Sequence, residues 1–415
     1  MHEVTIEKLV HGGQGLATLP DGKKVFVWNA LPAEVVRIRV LRSKKGFAEA
    51  IAEEIIQSSP DRIAPLEPAS YLATSPWQIM NFDAENTYKK EILVETFARE
   101  KVALPPFECV AGDQQLGYRN KMEFGLWGDE EGIHLAHFVR GSHGKVRVSG
   151  SVLALPAVNN AAQAVLAAIN KLDVRASDIK SVLVRASQDG RAVAAVFVKR
   201  EDFPTLVVPQ GLHGLVVYFS NPKSPASVPT KILQQSGERE LSDVMLGSHT
   251  LHYDVLSFFQ VNVPVFTMAL NKINECTAGV PKVDVFSGVG SIGIPLDMTR
   301  ALIESDEHNI EMARRNIGTK SIDVIHAPAE KALEHITGNE AVIVDPPRAG
   351  LHPDFTQKLL AAQPPLIAYL SCNPSTQARD VKLLVEGGYQ LVTFEGYNFF
   401  PRTPHIESLA ILKRS

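Results

Sequence analysis

Hydrophobic and polar residues alternate in short runs over residues 1–58, which predicts strands. Runs such as VTIEKLV, DGKKVFVW and VVRIRVLR are separated by glycine-rich or Asp-Gly turn signals. About five short strands in so short a stretch predict a small β-barrel of the OB type. Residues 59–80, which carry four prolines between positions 60 and 76, are predicted to form a linker.

The hydrophobic pattern changes twice further along the chain. Residues 81–108 are predicted to be mainly helical, with one helix over roughly 84–101. Residues 109–250 contain strand-like runs on both sides of one helical run, AVNNAAQAVLAAINK, which predicts a mainly antiparallel α+β domain. Over residues 251–415, strands and helices alternate.

The strands of this last region are apolar runs with little alternation, as expected for strands buried on both faces of a parallel sheet. Two further strands close the chain, YQLVTFE and IESLAILK, after strands predicted at 282–286, 300–304, 322–326, 340–344 and 366–371. This order predicts an α/β domain with a Rossmann-like, methyltransferase-type sheet. Ligands of such sheets bind beyond the carboxyl ends of the strands.

Composition and charge exclude several classes of protein. The 415 residues are 45% hydrophobic and 21% charged, as in soluble globular proteins of more than one domain. A net charge of −4 gives no overall signal for nucleic acid, so any RNA contact must use local positive charge. No signal-peptide pattern and no long apolar run occur, so we expect a cytoplasmic protein without membrane contact.

The three cysteines, Cys109, Cys276 and Cys372, are far apart and form no C-x-x-C pair. This spacing predicts neither a disulfide framework nor a metal site, and we therefore expect no bound metal. Cys109 and Cys276 are predicted to be packing residues. Cys372 differs, because it lies at the end of a predicted strand in Leu370-Ser371-Cys372-Asn373-Pro374.

A glycine turn follows the first strand of the Rossmann-like domain, in DVFSGVGSIG at 284–293. Gly288 and Gly290 lack side chains, so the backbone can approach a ligand closely, and a helix is expected to begin there. The literal G-x-G-x-x-G pattern serves NAD and FAD equally well, which leaves an oxidoreductase open. Glu304, at the tip of the next strand, is suited to accept hydrogen bonds from ribose hydroxyls.

The next two strand ends carry the candidate chemistry. Asp345 precedes two prolines and Arg348, and the prolines fix an acidic side chain at the ligand-binding edge. Cys372 is predicted to lie opposite Asp345, with Arg348 as the nearest cation to favour its thiolate. One reaction open to a thiolate at such a strand end is addition to carbon 6 of uracil. This addition makes carbon 5 nucleophilic, so that carbon 5 can accept a methyl group. A base must then remove the proton from carbon 5; Glu407 is the preferred candidate and His405 the alternative.

The chain resembles the RNA uracil-5 methyltransferase family of bacteria and archaea over nearly its whole length. The matching stretches are GYRNKMEF (117–124), FFQVN (258–262), DVFSGVGSIG, DPPRAGL (345–351), LSCNP (370–374) and FPRTPHIE (400–407). The N-terminal barrel resembles the TRAM module of many members. This resemblance implies a class I methyltransferase domain, a central domain (109–250) that is inserted into it and contacts RNA, and S-adenosyl-L-methionine as cofactor.

The resemblance also implies roles for individual residues. Cys372 is the expected nucleophile and Glu407 the expected proton acceptor. Expected cofactor contacts are Gln260, Phe286, Gly288, Gly290, Ser291, Glu304 and Asp345. Expected RNA contacts are Arg119, Lys121 and Arg348, together with Arg37 and Arg39 of the barrel. The expected substrate is an exposed loop uridine in structured RNA, preferably 23S ribosomal RNA and alternatively uridine 54 of transfer RNA, and we expect a monomer.

Two departures from the family pattern affect these expectations. Many members hold an iron–sulfur cluster with four cysteines, but Thr74 and Trp77 occupy the positions of one C-x-x-C pair here, so no cluster is predicted. Relatives often have an acidic residue at position 328, where this chain has Pro328, so a carboxylate contact to adenine is not expected. A non-catalytic RNA-binding protein remains the third hypothesis beside the methyltransferase and the oxidoreductase.

Overall fold

Four β-sheets, covered by seven α-helices, make up the part of the chain that the computed structural model describes, residues 2–140, 144–224 and 227–414. The N-terminal sheet has the strand order β1-β5-β6-β4-β3-β2. Its strands are β1 (His2–Thr5), β2 (Lys8–Leu9), β3 (Gly15–Thr18), β4 (Lys24–Trp28), β5 (Val35–Ser43) and β6 (Phe47–Gln57). Alternate side chains of these strands, such as Val25, Val27, Val36 and Ile38, form a small core, and the predicted N-terminal β domain is confirmed.

The predicted linker leads into a long helix that packs on the C-terminal domain. It contains α1 (Tyr71–Thr74) and precedes α2 (Phe82–Arg99). Asn81 ends the linker, and its side chain accepts a hydrogen bond at 2.8 Å from the backbone N–H of Ala84, so that α2 begins two residues before the predicted start. Phe97 of α2 packs edge-on against Phe394, at 4.8 Å between ring centroids.

The central domain is a seven-stranded sheet with one helix across one face. Its strand order is β10-β9-β8-β11-β12-β13-β14, and only the β12–β13 pair is parallel. Between β7 (Cys109–Val110) and the C-terminal domain, the elements are β8 (Lys121–Asp129), β9 (Gly132–Phe138), β10 (Lys145–Arg147), α3 (Pro156–Ile169), a 3-10 helix (Ala176–Asp178), β11 (Ile179–Ala186), β12 (Ala192–Val198), β13 (Gly214–Phe219) and β14 (Lys231–Gly237).

A two-stranded hairpin, β15 (Glu240–Met245) and β16 (His249–Asp254), leads into the C-terminal domain. This domain contains α4 (Val263–Thr277), β17 (Lys282–Val285), β18 (Thr299–Glu304), α5 (Glu307–Asn316), β19 (Asp323–His326), two 3-10 helices (Ala329–Lys331 and Leu333–His335), β20 (Ala341–Val344), α6 (Pro353–Ala362), β21 (Leu366–Ser371), α7 (Pro374–Glu386), β22 (Tyr389–Tyr397) and β23 (Glu407–Arg414).

The C-terminal sheet has the order β19-β18-β17-β20-β21-β23-β22-β7. Its first five strands are parallel, and β23 is antiparallel to β21. The Rossmann-like sheet predicted from the apolar runs is therefore confirmed, and the carboxyl ends of its parallel strands share one edge. None of the helices in the described residues is long and apolar enough to cross a membrane.

Two details of the predicted organisation are wrong. Cys109–Val110, assigned to the central domain, pairs with Gly396 and Tyr397 of β22 and so belongs to the C-terminal sheet; two residues are too few to reveal a strand by their pattern. The glycine turn does not begin a helix, because residues 288–295 form consecutive turns. Gly288 and Gly290 have φ of 56° and 85°, outside the helical region, and Pro295 has no N–H to donate.

Candidate active site

A cavity of about 680 Å³ opens at the carboxyl ends of the parallel strands. It lies where the predicted cofactor and reaction residues were expected to meet, and its size is typical of a small-molecule site. Its lining includes Arg119, Phe258, Gln260, Phe286, Glu304, Ser305, Asn309, Pro328, Asp345, Arg348, Cys372, Phe400, His405 and Glu407.

Glu304 lies at the end of β18 and is fixed by backbone donors. Its Oε2 accepts a hydrogen bond from the N–H of Gly288 at 2.8 Å, and its Oε1 accepts from the N–H groups of Ser305 and Asp306 at 2.6 and 2.8 Å. Phe286, beside it, has φ of 63°, a conformation that non-glycine residues adopt mainly where surrounding structure imposes it. The turn after β17 and the tip of β18 thus form one rigid wall.

Gln260 and Asp345 connect opposite sides of the cavity. The side-chain N–H of Gln260 donates to Oδ2 of Asp345 at 3.3 Å. The carbonyl of Gln260 accepts a hydrogen bond at 2.9 Å from the side chain of Asn120, just before β8 of the central domain. The central domain therefore helps to position a residue of the expected cofactor pocket.

Cys372 and Glu407 are neighbours across two antiparallel strands. The register of β21 and β23 pairs Ser371 with Ser408. One residue further, the same register sets Cys372 opposite Glu407, with roughly 5 Å between Cα atoms. Both residues line the cavity, so the predicted nucleophile and proton acceptor share one wall.

Burial disfavours negative charge on the side chains of this wall. It raises the pKa of Asp345 and that of Glu407, and repulsion between the two carboxylates adds to the effect at Glu407. Burial, with repulsion from Glu407 and Asp345, raises the pKa of Cys372 to about 11, while Arg348 opposes the shift. Burial therefore favours the protonated forms of the Cys372 thiol and of both carboxyl groups in this structure.

Cations and aromatic rings surround the mouth of the cavity. The guanidinium of Arg119 lies over the ring of Phe400 at 5.7 Å, and its Nε has no hydrogen-bond partner among the described residues. His405 contacts the same ring edge-on at 5.7 Å. Burial, aided by the positive charge of Arg348, lowers the pKa of His405 to about 4, so this imidazole is neutral at pH 7.

Several predicted site residues lie outside the cavity lining. Gly290 and Ser291 are buried behind the turn, and Gly288 reaches the site through its hydrogen bond to Glu304. Lys121, at the start of β8, is also absent from the lining, and burial and Arg185 lower its pKa to about 7. Its contact with substrate remains a prediction.

The two barrel arginines are also absent from the cavity lining. Arg37 pairs with Glu54, and Arg39 pairs with Glu53, on the exposed surface of β5 and β6. The run of cations without acids is confined to β5 itself, because the glutamates that pair with the two arginines lie on the neighbouring strand β6. Their contact with RNA remains a prediction.

Sequence reasoning missed a buried ionic network behind the cavity. Lys89 of α2 donates to Oδ1 of Asn398 at 2.6 Å and pairs with Glu85 at 3.0 Å. Glu85 accepts hydrogen bonds at 3.0 Å from the backbone N–H of Arg402, where φ is 64°. Glu85 and Lys89 stand four residues apart among the apolar positions of α2, and this spacing could have revealed them.

Three further residues bear on the predictions about cysteines: Cys109, Cys276 and Trp77. Cys109 is largely buried beside Lys89, and burial raises its pKa to about 11. Cys276 is partly buried against the core around α4. Trp77, at a position where relatives have a cysteine, is buried and donates its indole N–H to the carbonyl of Gly13 at 3.0 Å. This contact attaches the barrel to the linker, whose Trp77 packs in the core of the C-terminal domain.

Comparison with known proteins identifies the class of this chain. Residues 331–415 match the tRNA (uracil-5-)-methyltransferase family, and residues 2–52 match the TRAM domain. An RNA methyltransferase of Aquifex aeolicus without an assigned substrate is 31% identical over 431 residues, covering 99% of this chain and 98% of the relative. The chain therefore belongs to the RNA uracil-5 methyltransferase family, and the oxidoreductase alternative is wrong.

Two relatives have named substrates. The 23S rRNA (uracil(1939)-C(5))-methyltransferase of Halomonas elongata is 28% identical over 443 residues, covering 99% of this chain and 89% of that protein. The tRNA (uracil-54, C5)-methyltransferase of Pyrococcus abyssi, solved in complex with S-adenosyl-L-homocysteine, has a TM-score of 0.80 and 25% identity, covering 99% of this chain and 100% of that one. The two similar proteins thus act on different RNAs.

Proposed function

We propose that this protein uses S-adenosyl-L-methionine to methylate carbon 5 of one uridine in 23S ribosomal RNA, through a covalent bond between Cys372 and carbon 6. The observation that carries the proposal is the position of Cys372 and Glu407 side by side on the wall of one cavity. A thiol and a carboxyl in contact with one uracil ring can divide the reaction into addition, methyl transfer and elimination.

The residues on the other side of the cavity suit the cofactor. Glu304 offers a fixed carboxylate to ribose hydroxyls, and Phe286 and Phe258 supply apolar walls. Asp345 and Gln260 line the passage between this side and Cys372. When bound, S-adenosyl-L-methionine supplies the methyl group as a sulfonium electrophile.

The chain's own residues account for the remaining chemistry. The Cys372 thiol loses its proton to water, helped by Arg348, and its sulfur bonds to carbon 6 of the uracil. After carbon 5 has received the methyl group, Glu407 as carboxylate takes the proton from carbon 5. The sulfur–carbon 6 bond then breaks and returns the electron pair to Cys372. Because burial raises the pKa of Glu407, its carboxylate binds that proton more strongly than an exposed glutamate would.

The mouth of the cavity suits a uridine that has left its stack. Arg119 and Arg348 supply positive charge there, and Phe400 and His405 supply flat surfaces. Removing a uridine from a helix costs a few kcal/mol and less from a loop, so we infer a loop target. The Halomonas elongata relative supports 23S ribosomal RNA, while the Pyrococcus abyssi structure supports uridine 54 of transfer RNA as the alternative.

The covalent mechanism is tested with RNA that contains 5-fluorouridine. After methyl transfer, Glu407 cannot remove fluorine as it would a proton, so the adduct should persist. We expect wild type to form an adduct that survives denaturing electrophoresis only when S-adenosyl-L-methionine is present. Cys372→Ala should form none, whereas the matched control Cys109→Ala should form it. Equal adduct formation by Cys372→Ala would overturn the assignment.

The target is tested by methylation of 23S ribosomal RNA and transfer RNA from a source that lacks this modification. We expect incorporation of one methyl group into 23S ribosomal RNA and none into transfer RNA. The reverse result would favour the transfer RNA alternative. Absence of methylation on total RNA would favour the non-catalytic hypothesis.

A further inference from the structure

A cavity of about 1040 Å³ lies on the central domain, away from the candidate active site. It is lined by the outer faces of β8, β9 and β11 and by the neighbouring turns. The proposed chemistry uses none of these residues.

Strand β8 connects this cavity with the active site. Met122, Phe124 and Leu126 point towards α3 and are buried in the core of the central domain. By the two-residue period of a strand, the odd-numbered side chains of β8 share the opposite face, which runs from Lys121, two residues after Arg119 of the active site, to Trp127 at the far cavity. Eight residues span roughly 26 Å, which is too far for one nucleotide to contact both sites.

Two large aromatic side chains are exposed in the far cavity. Trp127 is 41% exposed and Phe138 is 63% exposed, although both project from ordered strands. The ammonium of Lys145 lies 5.1 Å from the centre of the Phe138 ring. Exposed rings beside a cation are the arrangement on which single-stranded nucleic acids stack their bases.

The lining also has an excess of positive charge. Its cations are Lys145, Arg175, Lys180 and Lys199, against two carboxylates, Glu123 and Asp129. Asp129 accepts a hydrogen bond from His134 at 2.8 Å. This local excess contrasts with the net charge of −4 for the whole chain, and it is the local signal that composition could not supply.

Lys145 and Lys199 both line this cavity, and Nζ of Lys145 donates a hydrogen bond to the carbonyl of Leu126 at 2.6 Å. Neither forms a salt bridge within the described ranges of the chain, and their mutual repulsion, added to burial, lowers the pKa of Lys145. Two ammonium groups on one concave surface suit a phosphate backbone.

We propose that this far cavity binds a second, unpaired segment of the RNA substrate, with bases stacked on Trp127 and Phe138 and phosphates against Lys145 and Lys199. The proposal rests on the proposed function, because the same RNA must reach the active site. A protein partner fits less well, since the lining sets four cations against two carboxylates beside the exposed rings. The far cavity would thus select RNAs that extend beyond the target loop.

The test compares two RNAs that contain the target uridine. One is a short hairpin sized to reach the active site alone, and the other includes the flanking segments. For Lys145→Gln/Lys199→Gln, we expect about a tenfold weaker Kd for the long RNA and an unchanged Kd for the hairpin. The salt dependence of log K for the long RNA should fall by about 1.4, that is about 0.7 for each lost phosphate contact.

Three further variants serve as controls for the proposed binding site. Trp127→Ala should weaken only the long RNA, and Trp127→Phe should restore most of the binding because stacking returns. Lys171→Gln, which removes an exposed lysine of the same domain outside the cavity, should change neither RNA. All variants should form the 5-fluorouridine adduct at wild-type rate when RNA is saturating, which controls for folding.

Equal Kd values of wild type and the double variant for both RNAs would overturn the proposal, as would equal weakening of both. Normal RNA binding by the double variant, together with loss of a bound protein, would overturn it in favour of a protein partner. If wild type bound the long RNA through Lys145 and Lys199 but formed no adduct with any RNA, the proposed function would fail while this site stood.

Discussion

Gly13 of the N-terminal barrel packs directly on Pro404, close to the strand that begins at Glu407. A Cβ at position 13 would lie 2.3 Å from Cβ of Pro404, which is far closer than van der Waals contact. The carbonyl of Gly13 also accepts the indole N–H of Trp77 at 3.0 Å. The barrel is therefore attached beside the candidate active site, and this contact requires glycine.

The substitution Gly13→Ala should detach this loop of the barrel. Its φ of 94° disfavours any Cβ, and the clash with Pro404 adds to that cost. The matched control is Gly12→Ala, since Gly12 has φ of 100° but a Cβ added there would meet no other atom within 4 Å. Both variants should lose about 1 kcal/mol to backbone strain, and only Gly13→Ala should lose clearly more.

Activity separates the two glycine variants more sharply than stability does. We expect Gly13→Ala to lower methylation of RNA about tenfold at saturating RNA, because Pro404 is three residues from Glu407, while Gly12→Ala stays within about twofold. Urea unfolding and initial rates measure the two effects. Equal losses in both variants would mean that the contact between Gly13 and Pro404 has no part in positioning the site.

The identity of the base is tested by Glu407→Gln and His405→Gln. If Glu407 removes the carbon 5 proton, Glu407→Gln should slow turnover by about 10²–10⁴-fold. It should also accumulate an adduct between Cys372 and ordinary methylated RNA, since elimination is the blocked step. Denaturing electrophoresis and mass spectrometry of the adduct provide the measurement.

His405→Gln should instead turn over without accumulating that adduct. Its imidazole is neutral near pH 7 and lies against Phe400 at the cavity mouth, so its loss should raise the KM for RNA more than it lowers kcat. Accumulation of methylated adduct by His405→Gln, and not by Glu407→Gln, would transfer the role of base to His405.

Strand ends explain why part of the site could be predicted from sequence. Asp345, Cys372 and Glu407 each lie at the end or start of an apolar run, and in a Rossmann-like sheet such ends meet at one edge. The order of the runs therefore predicted their meeting without any knowledge of side-chain geometry. Lys121 shows the limit of this reasoning, because local sequence does not reveal the burial that lowers its pKa, and its contact with substrate stays a prediction.

Long-range packing accounts for what could not be predicted. The far cavity depends on lysines from β10 and from the end of β12, which come close only after the central sheet has formed. The partners of Arg37 and Arg39 come from a neighbouring strand in the same way. Sequence pattern fixes the face of a residue, whereas these features depend on which strands become neighbours.

The buried network behind the active site should be sensitive to loss of one charge. Glu85→Ala would leave Lys89 and Arg402 without their carboxylate in a buried setting. We expect it to destabilise the protein by about 3–5 kcal/mol. It should also raise the KM for RNA, because Glu85 holds the backbone of Arg402 in its left-handed conformation. Urea unfolding and steady-state rates give the two readouts.

The double variant Glu85→Gln/Lys89→Met is the matched control for this network. It removes both charges but keeps an amide oxygen that can accept the N–H of Arg402. We expect it to be more stable than Glu85→Ala and to recover most of the RNA affinity. If it were as destabilised as the single variant, loss of packing rather than uncompensated charge would explain the effect.

Asp284 should make stability depend on pH between about 4 and 8. Burial raises its pKa from 3.8 to about 8, and a hydrogen bond at 2.7 Å from the N–H of Gly293 only partly opposes this shift. Because the folded state favours the protonated form, ionisation costs stability as pH rises above the unfolded pKa, and the full cost is reached above the folded pKa.

Asp284→Asn cannot ionise and avoids this cost. The free energy of unfolding of this variant, measured in urea from pH 5 to 8.5, should rise relative to that of wild type by up to about 1.4 kcal/mol per pH unit. Any packing cost of the amide adds a difference that does not change with pH. A difference that does not vary with pH would mean that Asp284 is already ionised in the folded protein.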